Sequence, residues 1–371
     1  MDDLIIGIDF SLPNIYLSYF KNNAPALLEN PNGKYATIAS VKLLNNGAFE
    51  FESNCQSKDA IYWNPNASQL NSFVFNNKRY LIKDFCNAIF KYLGNYFHHK
   101  FNDKHLKTVI AVPSYFKEEW RQIIKDSATS SDLSPIITMN EATAIVLNYW
   151  QQNQDSKIKQ YYVYNLEPTS STIAQVEIIK QQLVYANNVY YDLSLGINNW
   201  INQQVDYFLA RVNDQLKKHS LQYVKSQVEL KIIIRNNIET SLPSLSNNKV
   251  LTLIISNPIG MDEEGPVFLE PMSRKGEDFS KTYDQFILPL KKIIKNSDDS
   301  LLIMTGIGSN IKAIKEKITT DLNLSMEQII ILDHANQLSA FGASWFGAII
   351  TGLIPNKLVL ELTNNLINLT K

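Results

Sequence analysis

A duplicated α/β fold of two lobes is the architecture this sequence predicts, and three observations carry the prediction. The chain has 371 residues and 45% hydrophobic composition, enough apolar material to build more than one core. It opens as a β-meander at 4–20 and 34–52 and then alternates strand with helix to about residue 155. At 160–191, "QYYVYNLEPTSSTIAQVEIIKQQLVYANNVYY", the order restarts as strand, turn, strand and a further strand. A ligand of such a protein would bind in the cleft between the halves.

The elements follow in order. "NPNGK" at 30–34 is a turn built on Gly33, 53–72 is polar and loop-like, and "FVFNNKRYLI" from 73 is a hairpin closed by Asn76-Asn77. "IKDFCNAIFKYLGNYFHHKF" from 82 has apolar residues at helical spacing. "KTVIAVPSYF" is a buried strand with a Pro exit, "KEEWRQIIKDSATSSDL" an amphipathic helix, and "SPIITMNEATAIVLNYW" a strand, turn and helix. In the second half helices are expected near 198–218, 280–296, 310–318 and 336–350, with the strand "SLLIMTG" between. Trp150, Trp200 and Trp345 fall inside predicted helices, which assigns the aromatic residues to packing rather than to base stacking.

Lys+Arg 35 against Asp+Glu 36 gives a formal net charge of -1, so no overall basic balance draws the chain to DNA or to a membrane surface. Cys55 and Cys86 form neither a metal motif nor a disulfide framework, and no signal peptide or membrane-spanning run is evident. A cytoplasmic location is therefore expected. His98, His99 and His105 are the one histidine cluster, placed at a helix end where a solvated terminus is the simpler reading than a metal site. The basic stretch "HHKFNDKHLK" at 98–107 reads as a solvated face, with ribosomal RNA contact as the alternative.

Several segments, in order and over nearly the whole chain, resemble the Hsp70 nucleotide-binding domain. "GIDFSLPN" stands at the first phosphate loop, "AVPSYF" and "NEATAIVLNY" are similar to the VP-x-Y-F and N-E-P-[ST]-A-A segments, and "YNLEPTSST" replaces the second phosphate loop. "YDLSLGINNWINQQVDYFLARV" is similar to the helix opened by H-L-G-G, "IMTGIGSNIKAIK" to the adenosine loop, and "ANQLSAFGASWFGAIITG" to the closing A-x-G-A-A helix. The resemblance implies an actin-like ATPase fold, with lobe I at 1–158, lobe II at 159–352 and a linker-like tail at 353–371. It also implies nucleotide contacts at Asp9, Ser11, Asn14, Gly196, Asn236, Glu239, Gly306, Gly308 and Ser309.

The site departs from the family residue by residue. The Gly-Thr-Thr positions of the first loop are Ser11, Leu12 and Pro13; Pro13 has no N–H to offer a phosphate, and Leu12 puts an apolar side chain there. The second loop reads Asn165-Leu166-Glu167-Pro168-Thr169-Ser170, with a carboxylate where phosphate would lie. Asn165 replaces a carboxylate that arranges metal and water, Thr172 stands for a further Asp, and Glu141 keeps its place. The catalytic Lys belongs to a segment expected to be missing, since only the loop at 53–72 and a hairpin stand in for a longer subdomain, and Lys78-Arg79 reads as the solvated turn of a different hairpin. On these grounds no metal site, no required cofactor and no hydrolysis are expected, so the chain would not be an enzyme, although ATP could occupy it without turnover.

Within the family the chain looks most like the atypical Hsp70 subunit of the fungal ribosome-associated complex, at "LLENPNGKYATIAS", "DLSLG" and "MTGIGS". That resemblance implies a non-hydrolysing co-chaperone that pairs with a ribosome-bound J-domain protein of the zuotin kind and supports an active Hsp70 on nascent chains. After "NKLVLELTNNLINLTK" no peptide-holding β-sandwich is expected, and "KLVLEL" reads equally as interdomain linker or final strand. The alternatives are a weak ATPase of the actin and Hsp70 superfamily and a structural subunit of another assembly.

Overall fold

The computed structural model describes residues 4–11, 14–52, 60–62, 72–75, 77–101, 105–153, 158–179, 183–218, 227–244, 250–256, 258, 260–262, 265–275, 278, 281–295, 299–332, 335–355 and 363–368. Contacts divide the chain into two compact units. The first is built mainly from Met1–Val163, Ala174–Tyr191 and Leu332–Asn368, the second from Tyr164–Ile173 and Asp192–Ile331.

The first unit is organised by a sheet in which β1 (Leu4–Asp9) is central. Strand β2 (Asn14–Lys21) returns antiparallel beside it, followed by β3 (Ala24–Leu27), while β4 (Ala36–Ile38) pairs with the start of β2. A three-stranded sheet, β5 (Ser40–Leu43), β6 (Phe49–Phe51) and β7 (Ile61–Tyr62), and the hairpin β8 (Ser72–Phe75) with β9 (Lys78–Leu81) lead into helix α1 (Ile82–Phe101). Asn77 takes φ 61° at the hairpin turn, a conformation that Asn tolerates better than most residues. Lys78 and Arg79 are exposed in β9.

On the other side of β1 lie β10 (Leu106–Val112) and β11 (Ser134–Asn140), both parallel to it, with α2 (Glu118–Thr129) between them in sequence and α3 (Glu141–Asn153) after. Alternation along β1 sorts its residues onto two faces. Ile6, Ile8 and Phe10 enter the core formed with Phe85, Phe90, Phe97 and Trp120 of α1 and α2, and Phe10 stacks on Phe90 at 5.1 Å between centroids. Ile5, Gly7 and Asp9 take the opposite face.

The chain then forms β12 (Gln160–Leu166), β13 (Ser171–Ile179) and β14 (Leu183–Asp192), members of a second six-stranded sheet of order β20-β19-β12-β13-β14-β21. The second unit holds α4 (Ile197–Lys218) and α5 (Gln227–Ser241), then the small pairs β15 (Val250–Leu253) with β18 (Met272–Lys275) and β16 (Gly260–Asp262) with β17 (Gly265–Val267). Helix α6 (Asp284–Ile293), β19 (Ser300–Thr305), α7 (Lys312–Leu322) and β20 (Ile329–Ile331) follow. Trp200 of α4 is fully buried, stacks on Tyr283 at 5.3 Å and donates its indole N–H to Thr282 at 2.8 Å.

Helix α8 (Ala335–Ile350) belongs by its contacts to the first unit, whereas the sequence boundary had set it in 159–352. The reason is steric: its small residues let it lie directly on the face of β1 that carries Ile5 and Gly7. A Cβ on Gly7 would fall 2.2 Å from the Ala340 carbonyl oxygen, and Ser18 of β2 donates to that same oxygen at 2.7 Å. β21 (Thr363–Asn368), part of the tail expected at 353–371, pairs in parallel with β14 from Ala186↔Thr363 to Tyr191↔Asn368. The "KLVLEL" run and Cys55 lie outside the described residues, while Cys86 is buried and its thiol is pushed up by burial. Among the described residues no helix is long and apolar enough to cross a membrane.

An ion-pair network joins α6 and α7: Lys291 to Asp321 at 3.1 Å, Lys317 to Asp321 at 3.3 Å, and Lys317 to Asp284 at 2.8 Å. Burial alone would raise the Asp321 carboxyl, but Lys291 and Lys317 outweigh it and hold the group below its ordinary value. A carboxyl lowered on folding stabilises above its unfolded pKa and loses that contribution as pH falls through its folded one. Asp321→Asn is expected to cost about 0.5–1 kcal/mol at neutral pH and much less under acid conditions, as read from urea midpoints at the two pH values.

Candidate functional site

In the first unit the site is built at the carboxyl end of β1. Asp9 is fully buried, and its Oδ1 accepts from the Ser11 hydroxyl and, at 3.2 Å, from the hydroxyl of Ser339 on α8. Alternation puts Asp9 on the same face as Ile5 and Gly7, which is why α8 supplies its partner. Ser339 was not among the residues singled out from sequence; its distance along the chain hides it. Ser11 and Asn14 are half-buried, Asn14 opening β2 opposite Ile38, while Leu12 and Pro13 lie outside the described residues.

Glu141 begins α3 and is 5% exposed. The chain around it is fixed by Arg121, whose Nε donates to the Phe116 carbonyl at 3.0 Å and whose Nη2 donates to Asn140 Oδ1. Ser114 Oγ accepts from the Ala142 N–H at 3.3 Å. "AVPSYF" and "NEATAIVLNY" are thus joined through Arg121 and Ser114, neither of which the sequence reading named as a site residue.

In the second unit the β12–β13 turn closes with Glu167 N–H donating to Ser170 O at 2.9 Å. It docks on the start of α4, where Ile197 and Asn198 donate backbone N–H bonds to the carbonyls of Glu167 and Pro168 at 3.0 and 2.9 Å. Gly196, predicted as a contact residue, is where this close approach happens: a Cβ there would lie 2.4 Å from Pro168 O. Its N–H donates to Asn199 Oδ1 at 2.8 Å.

Gly306 and Gly308 meet β12. A Cβ on Gly306 would stand 2.5 Å from both Asn165 Oδ1 and Leu166 O, and one on Gly308 would stand 2.3 Å from Leu166 Cδ2. Ser309 caps the same loop, its hydroxyl donating to Gly306 O at 2.7 Å. Asn165, Gly306, Gly308 and Ser309 are therefore brought together, and Thr172 is buried in β13. Asn236 and Glu239 are exposed on α5, and Glu239 is engaged by Arg235 Nε at 2.7 Å. Arg235 also donates to Asn198 at 2.5 Å and Asn202 at 2.9 Å, tying α5 to α4. The (i,i+4) spacing of Arg235 and Glu239 was the available sequence signal for this contact.

Among the described residues no group of three or more His, Cys, Asp or Glu could hold a metal ion. Asp9 and Glu141, the hard oxygen donors, both lie in the first unit, whereas Asn165 lies in the second.

A mixed α/β domain with a buried carboxylate at a strand end and glycine loops beside a β-turn has the actin-like ATPase fold. The chain belongs to the Hsp70 family: the family model described as Hsp70 protein matches residues 61–363. It is also similar to chaperone protein DnaK of Mycoplasma mobile, 25% identical over 97% of this chain and 60% of the relative. DnaK of Mesomycoplasma hyopneumoniae is 25% identical and that of Mycoplasmopsis synoviae 24%, each over 97% of this chain and 61% of the relative. The chain thus spans about 60% of the length of the curated relatives it matches.

These relatives overturn the expectation that the chain is not an enzyme, because DnaK is an ATPase. The expectation rested on the altered phosphate loops, Pro13's missing N–H included, on the replaced carboxylates and on the Lys segment. Phosphate is held largely by backbone N–H groups, so changed side chains there are not proof of lost chemistry. The two acidic groups, Asp9 and Glu141, are retained and buried.

Proposed function

We propose that this chain is the nucleotide-responsive part of an Hsp70 chaperone, binding ATP with magnesium and turning it over slowly in concert with a J-domain protein. The observation that carries the reading is Asp9: a fully buried carboxylate at the carboxyl end of a central parallel strand, oriented by two hydroxyls. Strand ends of this kind are where α/β proteins place ligands. Family membership supports chaperone work, and the Gly306–Ser309 loop supports a nucleoside contact.

The test is calorimetric titration of the chain with ATP and magnesium, followed by single-turnover hydrolysis with and without an isolated J-domain. Saturable binding is expected, weakened about tenfold or more by Asp9→Asn, and slow turnover lost in Glu141→Gln. No binding at millimolar ATP overturns the reading.

A finer role, pairing with a ribosome-bound J-protein on nascent chains, is supported by the "LLENPNGKYATIAS" resemblance. There Asn30 organises the turn, accepting from the N–H groups of Asn32 and Lys34 at 2.9 and 3.0 Å and donating to Ala36 O at 2.9 Å. Co-sedimentation of the tagged chain with ribosomes through a J-protein supports this role, and a free or differently partnered chain sinks it.

A further inference from the structure

The first unit contains a cavity of about 420 Å³ at the opposite end of β1 from Asp9. Leu4 lines it, and Asp9 lies five positions further along the strand, about 16 Å at the usual rise per residue. The cavity is therefore distinct from the site described above, and its volume is that of a pocket for a small organic ligand. Its aromatic walls are Tyr19 of β2, Tyr35 after the Gly33 turn, and Phe101 at the end of α1. The Tyr19 and Phe101 rings are tilted at 50° with centroids 6.1 Å apart, while the Phe20 ring takes the other face of β2, where Trp345 meets it edge-on.

Two cations stand at this cavity, Lys21 and Lys100, both exposed, and Glu29 is its one acidic lining residue. Among the described residues neither lysine has a carboxylate partner; Lys100 lies 5.4 Å from the Tyr96 ring. Tyr96 in turn donates to the Glu29 carbonyl, which pins the segment bearing Leu28 and Glu29 onto α1 and keeps the cavity formed. Lys100 in the last turn of α1 offsets the negative end of that helix, which would otherwise repel an anion.

We propose that this cavity is a second ligand site, and that it takes a small aromatic carboxylate. The ring lies among Tyr19, Tyr35 and Phe101, where offset and edge contacts favour another aromatic group. The carboxylate is held by Lys21 and Lys100 in charge-assisted hydrogen bonds at the mouth, where net local charge favours an anion. Part of the basic stretch at 98–107, otherwise without a role, is thereby given one.

Indole-3-acetate is the probe, titrated into the whole chain by calorimetry, with its neutral methyl ester as the charge control. Saturable one-to-one binding is expected, roughly tenfold weaker for the ester and for Lys21→Glu with Lys100→Glu, and weakened by added salt. Glu29→Gln is expected to tighten binding several-fold, a gain that a misfolded variant cannot produce. Excess ATP is expected to leave the binding unchanged, whether or not ATP itself binds. Absence of saturable binding, equal affinity for the ester, indifference to the lysine and Glu29 substitutions, or displacement by ATP each overturns the proposal.

Discussion

Gly342→Val is expected to destabilise the first unit by about 3 kcal/mol or more and to drive much of the protein into aggregates. A Cβ at this position would fall 1.9 Å from the Ala144 carbonyl oxygen and 2.4 Å from its carbon, where α8 lies against α3. Backbone cannot yield as a flexible side-chain end can, so the helices must separate. Separation would also withdraw Ser339 from Asp9 and uncover the face of β1 occupied by Ile5 and Gly7. A urea midpoint indistinguishable from the unsubstituted chain would refute the close helix contact. Gly342→Ala is the milder test and should fall between the two.

Gly306→Ala is expected to cost about 2–4 kcal/mol and to displace the loop that carries Gly308 and Ser309. Gly306 adopts φ 78° and ψ 175°, a region almost closed to residues with a Cβ, and the added methyl would meet Asn165 Oδ1 and Leu166 O at 2.5 Å. Strain and clash act together here, which a substitution at an open turn such as Gly33 would not reproduce. If the loop contacts nucleotide as proposed, ATP affinity should fall with stability. Unchanged stability with unchanged affinity would show that the loop is not held against β12.

The regular elements were legible because they have periods. The apolar positions of "IKDFCNAIFKYLGNYF" mark a helix and the apolar run "IIGI" marks a buried strand, and the structure follows both. Segment order likewise led to the Hsp70 family. What sequence could not show was which distant residue meets which. Ser339 and Asp9 are 330 positions apart, and no periodicity links them.

The glycines were read as room for nucleotide, yet in the structure Gly308 accommodates Leu166 and Gly196 accommodates Pro168. A small residue records only that something comes close. Counting altered loop residues also led to the mistaken conclusion about catalysis, because, Pro13 apart, the donors that hold phosphate are backbone N–H groups that residue identity does not report.

The docking of α8 on β1 also governs how this chain can fold while it is being made. The strand appears at residues 4–9 and its cover at 335–350, so everything between them must be synthesised before the sheet face is closed. Contacts of such long sequence separation form late, and until then the apolar face awaiting α8 is open to wrong partners. A member of a chaperone family is thus, during its own translation, the kind of incomplete chain that chaperones protect.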